Sequence, residues 1–306
     1  MRSSVVAYAP GSTSNLGPGF DCLGVAFTGR GDRVTARLAA EPGVRVVSVS
    51  DPRIPTDPAR NTAAIAAAWV LRESDDPPGL ELVVEKGLPL CGGLGGSAAS
   101  AVAGAVAADA LLGLRLPRSR LMAAALEAEA VVAGRHADNV APSLYGGAVL
   151  IRGLDPVEIA SFQVHPDLAL VLVTPDYAVE TARARAVLPG EVSRADAVAQ
   201  ASRLACLVLG LERGDERLIR GSLVDLIAEP ARRPLYPGYP EARTAGLVAG
   251  ALGVTVSGAG PTVVAVVRGD HGSGVAEAMV DAYESVGYPA EAHVASVDAQ
   301  GARVMP

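Results

Sequence analysis

Short β-branched runs and longer helical stretches follow one another along the chain, and both occur in each half. Residues 5–9, 23–27, 33–38 and 44–49 read as strands. Asn61 offers a side-chain cap to a helix over 62–71. Residues 80–85 alternate as a half-buried strand does. A glycine-rich loop then runs from Gly87 to Gly96. An alanine-rich helix over 97–112 follows, and a second over 118–132 stops at Gly134. Residues 146–151 return as a strand.

After Leu154-Asp155-Pro156 the pattern starts again. Strands are expected at 157–164 and 168–174, and helices at 195–211, 217–227 and 241–252. A strand pair brackets Gly258-Ala259-Gly260, and a helix at 275–286 and a strand at 290–297 close the chain. This is an α+β pattern without regular βαβ alternation. Its two halves are expected to be domains of residues 1–155 and 156–306.

Composition narrows the function classes. The 306 residues are half hydrophobic, enough for sizeable cores, and carry a net charge of −7. An acidic chain without a Lys/Arg block has no electrostatic footprint for nucleic acid or an anionic membrane. The most apolar helical stretch, 98–112, is short and broken by Asp109, so no membrane span is expected. Met1-Arg2-Ser3-Ser4 is not followed by a long apolar region, which leaves the cytoplasm as the expected compartment. Cys22, Cys91 and Cys206 are far apart and give neither a disulfide framework nor a zinc spacing.

Lys86 is the sole lysine, and all other positive side chains are arginine. That excludes a GxxxxGK[ST] phosphate loop and the protein-kinase lysine set. A pyridoxal Schiff base would have to use Lys86, which ends a predicted strand without a supporting motif.

The richest segment for chemistry is Pro89-Leu90-Cys91-Gly92-Gly93-Leu94-Gly95-Gly96-Ser97-Ala98-Ala99. It joins a strand to a helix. Glycines permit close backbone approach to a ligand, and the free N–H groups and dipole at a helix start favour an anion. A dinucleotide fingerprint fails on context, because the third glycine is wrongly spaced and no acidic residue ends a second strand about 20 residues on.

This loop resembles the nucleotide loop of the GHMP kinases, the superfamily of galactokinase, homoserine kinase and mevalonate kinase. Gly92 and Gly96 stand where family loops usually carry serine, and Ser97 matches the Mg²⁺-contacting serine. Pro10-Gly11-Ser12-Thr13-Ser14-Asn15-Leu16-Gly17-Pro18-Gly19-Phe20-Asp21 reads as a turn-rich loop and resembles the PASSANLGPGFD segment of homoserine kinases. His136-Ala137-Asp138-Asn139-Val140-Ala141-Pro142 resembles their H-x-D-N-V-A-P segment. Thr181-x2-Ala184-Arg185, Glu229-Pro230-x-Arg232 and Ser257-Gly258-Ala259-Gly260-Pro261 resemble three further family motifs.

The resemblance covers the whole chain and implies a fold and a set of roles. It implies an N-terminal domain like domain 2 of ribosomal protein S5 and a ferredoxin-like C-terminal domain, with the site between them. ATP would lie on residues 89–99, with Mg²⁺ held by Ser97 and Glu129, and Glu127 as the alternative. L-homoserine would meet Asn15 and Asp21 at its ammonium, Arg185 and Arg232 at its carboxylate, and Gly258 in the covering turn. Asn139 would aim the hydroxyl, with His136 beside it; the resemblance implies transfer by positioning without a dedicated base, and Asp138 is the one nearby carboxylate to nominate if there is one. Arg183 and Arg233 would be surface controls. Dimers are common in the family. Two readings stay open beside homoserine phosphorylation: a GHMP kinase for another small alcohol, and a GHMP-fold sensor that binds without catalysis.

Overall fold

The computed structural model describes residues 3–132 and 134–306. Met1 and Arg2, at the start discussed above, and Ala133, before Gly134, lie outside them. β1 (Ser4–Asn15) and β2 (Gly19–Ala39) form a long antiparallel hairpin. Its tight turn places Asn15, Leu16 and Gly17 at φ of 72°, 41° and 76°, in the left-handed region. The expected turn-rich loop over 10–21 is therefore mostly strand, because backbone pairing continues to Asn15 and resumes at Gly19.

β3 (Gly43–Val49) lies parallel to β4 (Gly79–Glu85), which pairs with the far half of β2. Between them comes α1 (Thr62–Leu71), capped by Asn61, whose side chain accepts from the Ala64 N–H. The chain continues through α2 (Gly96–Leu112), α3 (Arg118–Val132) and α4 (Ala137–Tyr145). Then come β5 (Ala148–Leu154), paired with the near half of β2, and β6 (Val157–Phe162), paired with β5. The domain division expected at residue 155 falls inside this β5–β6 hairpin.

α2 explains its own composition. Alanines 98, 99, 101, 103, 105, 107 and 108 are all fully buried, so small side chains let the first sheet and the neighbouring helices pack closely around it. Gly104 sits where a Cβ would fall 2.4 Å from the Ala63 carbonyl oxygen of α1.

The second sheet holds β7 (Leu168–Pro175), β8 (Gly253–Val256), β9 (Val263–Arg268) and β10 (Ala290–Ala295). Its order is β10-β7-β9-β8, and every neighbouring pair is antiparallel. With helices between β7 and β8 and between β9 and β10, this is the β-α-β-β-α-β ferredoxin-like arrangement. β7 is buried on both faces. Leu168, Leu170 and Leu172 join the core of the first sheet, while Ala169, Val171 and Val173 join a second core. β11 (Arg303–Val304) returns to pair with β1.

Five helices separate β7 from β8: α5 (Thr181–Ala186), α6 (Arg194–Arg213), α7 (Glu216–Ile219), α8 (Ala228–Arg232) and α9 (Tyr239–Val248). α10 (Gly272–Ser285) lies between β9 and β10. The helix expected over 217–227 is a single turn. Gly221 turns the chain at φ 78°, and Asp225 accepts from the N–H groups of Ile227, Ala228 and Glu229, which starts α8 instead.

One close approach fixes α4 on the sheet. A Cβ on Gly24 of β2 would fall 1.7 Å from the Asp138 carbonyl oxygen. Gly24→Ala should therefore displace α4, lower stability by roughly 1–3 kcal/mol or more, as overpacking does, and reduce any activity that uses Asp138 and Asn139. Thermal melting and a rate assay check this; an unchanged melting temperature contradicts the close approach.

Candidate active site

A cavity of about 540 Å³ opens between the two sheets. The first half supplies Asn15, Asp21, the glycine-rich loop, Glu129, His136, Asp138 and Asn139. The second supplies Arg185, Arg232 and Gly258. Thus widely separated predicted residues meet in one cleft. Leu94, Ala98 and Ala99 do not line it. Their side chains are buried in the hydrophobic core beneath the loop, which makes them supports for it. Arg183, Arg233 and Glu127 are exposed. Glu129, two residues on and so on another side of the helix, is buried and lines the cavity.

The loop is gripped from both halves. Ser12 N–H donates to the Leu94 carbonyl (3.2 Å) and Thr262 N–H to the Gly92 carbonyl (3.2 Å). Ser257 Oγ donates to the Gly93 carbonyl at 2.7 Å. Gly93 has φ 77°, and a Cβ there would lie 2.4 Å from the Ser257 carbonyl oxygen. Gly95 caps α2 at φ 68° without any side-chain cap, which leaves the first N–H groups of the helix for an anion.

Lys86 belongs to no motif in the sequence, yet it lies directly under the loop. Its Nζ donates to Asp32, to the Gly96 carbonyl (2.6 Å) and to Ser100 Oγ (3.0 Å). Asp32 is fully buried and also accepts from Ser100 Oγ (2.7 Å) and the Gly87 N–H (3.1 Å). The signal available was its singularity: the one lysine stands immediately before the glycine run.

Asn139 is held by two serines. Its Oδ1 accepts from Ser12 Oγ (3.0 Å), and its Nδ2 donates to Ser14 Oγ (3.1 Å). A Cβ on Gly95 would fall 2.9 Å from Asn139 Oδ1, so this amide abuts the phosphate end of the loop. The neighbouring motif is a helix: His136 is the N-cap of α4, and Pro142 lies within it.

Asn15 is already engaged. Its Nδ2 donates to the Gly258 carbonyl (2.9 Å) and its Oδ1 accepts from the Asp21 N–H (3.0 Å), so it ties the hairpin turn to the covering turn. Asp21 takes a bidentate pair from Arg185, at 2.8 and 3.1 Å. Arg232 is buried, and its Nε and Nη1 donate to the carbonyls of Ala184 (2.8 Å) and Gly258 (3.2 Å). His136 Nδ1 lies 4.0 Å from Asp21. Burial, with Arg185 beside it, pushes the imidazole below its ordinary pKa, which favours the neutral ring at pH 7.

Two buried carboxyls face the same space. Burial raises Glu129 from 4.5 to about 7, only partly offset by the Ser97 hydroxyl. Burial and then the Asp21 charge raise Asp138 from 3.8 to about 6. Glu129 Oε1 and Asp138 Oδ1 are buried without a hydrogen-bond partner among the described residues. Among the described residues no three His, Cys, Asp or Glu cluster to hold a metal. Mg²⁺ needs no such cluster when substrate phosphates and waters complete its shell. The unpartnered Glu129 oxygen near Ser97 fits that mode.

Comparisons with known proteins agree with this geometry. The family model for the GHMP kinases N terminal domain matches residues 61–147, and that for the GHMP kinases C terminal matches 207–285. The chain belongs to the GHMP kinases. Homoserine kinase of Arabidopsis thaliana is 44% identical, covering 99% of this chain and 85% of that protein. Homoserine kinase of Trichormus variabilis is 38% identical over 98% of both. The crystal structure of homoserine kinase from Cytophaga hutchinsonii superimposes with a TM-score of 0.96 at 38% identity, covering 100% of this chain and 98% of that one. Within the class, the similarity is to homoserine kinases.

Two outcomes test the electrostatics. Lys86→Met should cost about 3–5 kcal/mol, because it leaves the Asp32 charge buried and unpaired, and adding Asp32→Asn should recover much of that loss. Chemical denaturation of the single and double variants checks it. For Glu129 the folded pKa lies above the unfolded one, so the folded state holds the extra proton between about 4.5 and about 7. Without divalent cations, stability should fall as pH rises through that window. Glu129→Gln should then be more stable than the parent above pH 7, with the advantage vanishing towards pH 4; melting curves across pH decide it.

Proposed function

We propose that this chain transfers the γ-phosphoryl group of ATP to the side-chain hydroxyl of L-homoserine, giving O-phospho-L-homoserine for threonine biosynthesis. The observation that carries the reading is the meeting, in one cleft, of a backbone-built anion loop with an amide-held hydroxyl site and two arginines beside one aspartate. Phosphoryl transfer asks chiefly for alignment and charge stabilisation. The loop and the start of α2 take the triphosphate. Ser97 and Glu129 are the residues that would hold Mg²⁺, which when bound neutralises phosphate charge. Arg185 and Arg232 receive the substrate carboxylate, for which a guanidinium fork is suited. Asp21, beside Asn15, receives the ammonium.

Asn139 presents its amide to the hydroxyl at the point where Gly95 ends the loop. Loss of the hydroxyl proton comes late in a dissociative transition state, so positioning does most of the work. Asp138 is the carboxyl nearest that amide in sequence. Its raised pKa supports a role as proton acceptor once the site is closed to water.

The reading includes a homodimer acting in the cytoplasm. No helix among the described residues is long and apolar enough to cross a membrane, and sedimentation tests the dimer. For activity, purified protein with Mg·ATP and a panel of hydroxy amino acids should release ADP with homoserine. Turnover on another alcohol alone overturns the substrate, and ATP binding without turnover on any supports the sensor reading. Arg232→Ala should raise the homoserine KM at least tenfold, the order expected for a lost charge-assisted hydrogen bond, with the ATP KM near normal. Equal damage to both constants contradicts the carboxylate role.

A further inference from the structure

Two guanidinium groups that serve one carboxylate must be held near each other before the carboxylate arrives. Arg185 and Arg232 have that problem here. Burial lowers the pKa of Arg232; Tyr236, Asp21 and Asp225 oppose this, and the Arg185 charge adds to it. Arg185 shares its charge with Asp21. Arg232 has two backbone carbonyls, at Ala184 and Gly258. No carboxylate is hydrogen-bonded or ion-paired to Arg232 among the described residues.

The group common to both arginines is the ring of Phe20. The guanidinium carbon of Arg232 lies over it at 5.1 Å from the centroid, and that of Arg185 at 5.8 Å. Both fall within the range in which the negative face of an aromatic ring attracts a cation. Arg185 Nε adds a second, independent observation. It is buried and has no hydrogen-bond acceptor among the described residues, and an aromatic face is a partner such a donor can use. Phe20 is placed by the hairpin turn: it is the second residue of β2 and precedes Asp21, whose φ is 55° and whose N–H is tied to Asn15 Oδ1. Ring, aspartate and amide therefore form one rigid unit facing both arginines.

We propose that Phe20 is a positioning residue for substrate recognition, whose π face holds Arg185 and Arg232 together for the substrate carboxylate. The proposal rests on the reading that these arginines receive that carboxylate. A second carboxylate in place of the ring, added to Asp21, would neutralise the charge that the pair still offers the substrate. An aliphatic side chain would fill the space without offsetting the repulsion. The aromatic ring attracts each cation weakly without occupying the N–H groups that Asp21, Ala184 and Gly258 leave to the substrate.

The test separates shape from electrostatics. Phe20 is replaced in the full chain by mono-, di- and trifluorophenylalanine, which keep the ring's outline while progressively removing its negative face. The homoserine KM should climb stepwise, on the order of fivefold to tenfold for the trifluoro ring, with kcat and the ATP KM little changed. Phe20→Leu should raise the same KM at least as far, and Phe20→Trp should restore it. Arg232→Ala is run in parallel. A flat KM across the fluorinated series, with Arg232→Ala still impaired, overturns the role of the ring and leaves the arginine clamp standing. An Arg232→Ala variant with normal homoserine KM overturns the clamp and the ring's role with it.

Discussion

The closeness with which backbone approaches backbone around the glycine-rich loop is the constraint on which the site depends. A loop that binds phosphate through N–H groups must be rigid without using side chains in the binding space. Here its carbonyls do the anchoring. Those of Gly92, Gly93 and Leu94 accept from Thr262, Ser257 and Ser12, which leaves the other side of the loop for a ligand. The distances leave no room for a Cβ at Gly93 or Gly95. Because one clamp belongs to β1 and the other to the β8–β9 turn, the loop also fastens the two sheets to each other. Its geometry is thus a property of both halves of the fold.

Charge is arranged around that loop with equal economy. Lys86 neutralises buried Asp32 and fixes the Gly96 carbonyl, so it stabilises the floor of the loop through an internal pair. The cavity in turn carries two acids whose burial holds their protons to about pH 6 and 7, and two arginines of which only Arg185 is paired with an aspartate. Glu129 and Asp138 each keep one carboxyl oxygen without a hydrogen-bond partner among the described residues, and Arg232 has no carboxylate partner among them. Such poorly satisfied buried groups are costly for stability and useful for binding, since a ligand that satisfies them gains what the empty site lacked.

Local features of the sequence were the legible ones. Asn61 before an alanine-rich stretch announced α1, and the glycine run ahead of Ser97 announced a strand, an anion loop and a helix. Motif resemblance then brought Asp21, Asn139, Arg185 and Arg232 to one site, which no periodicity could have done. What stayed hidden depends on partners distant in the chain. Asn139 is oriented by Ser12 and Ser14, which lie about 125 residues before it. Lys86 reads as the solvated end of a strand until Asp32 is placed beside it. The single turn of α7 looked like a long helix because residues 217–227 have helical composition, and the capping by Asp225 that ends that expectation is visible only once Gln200 and α8 are near it.

Arginine predominates in this chain, and the site shows why the two basic residues are not interchangeable there. Arg232 uses Nε and Nη1 on two carbonyls and still has N–H groups to offer, while its guanidinium carbon lies over the Phe20 ring. A lysine has three donors on one atom and no plane to stack, so it would spend its charge on the same carbonyls and lose the second function. Lys86 is the converse case. Its three contacts, to Asp32, Gly96 and Ser100, radiate from a single atom in a narrow buried space, which an ammonium can satisfy and a planar fork cannot. The residue that builds the floor and the residues that read the substrate are thus separated by geometry, even though all of them carry the same charge.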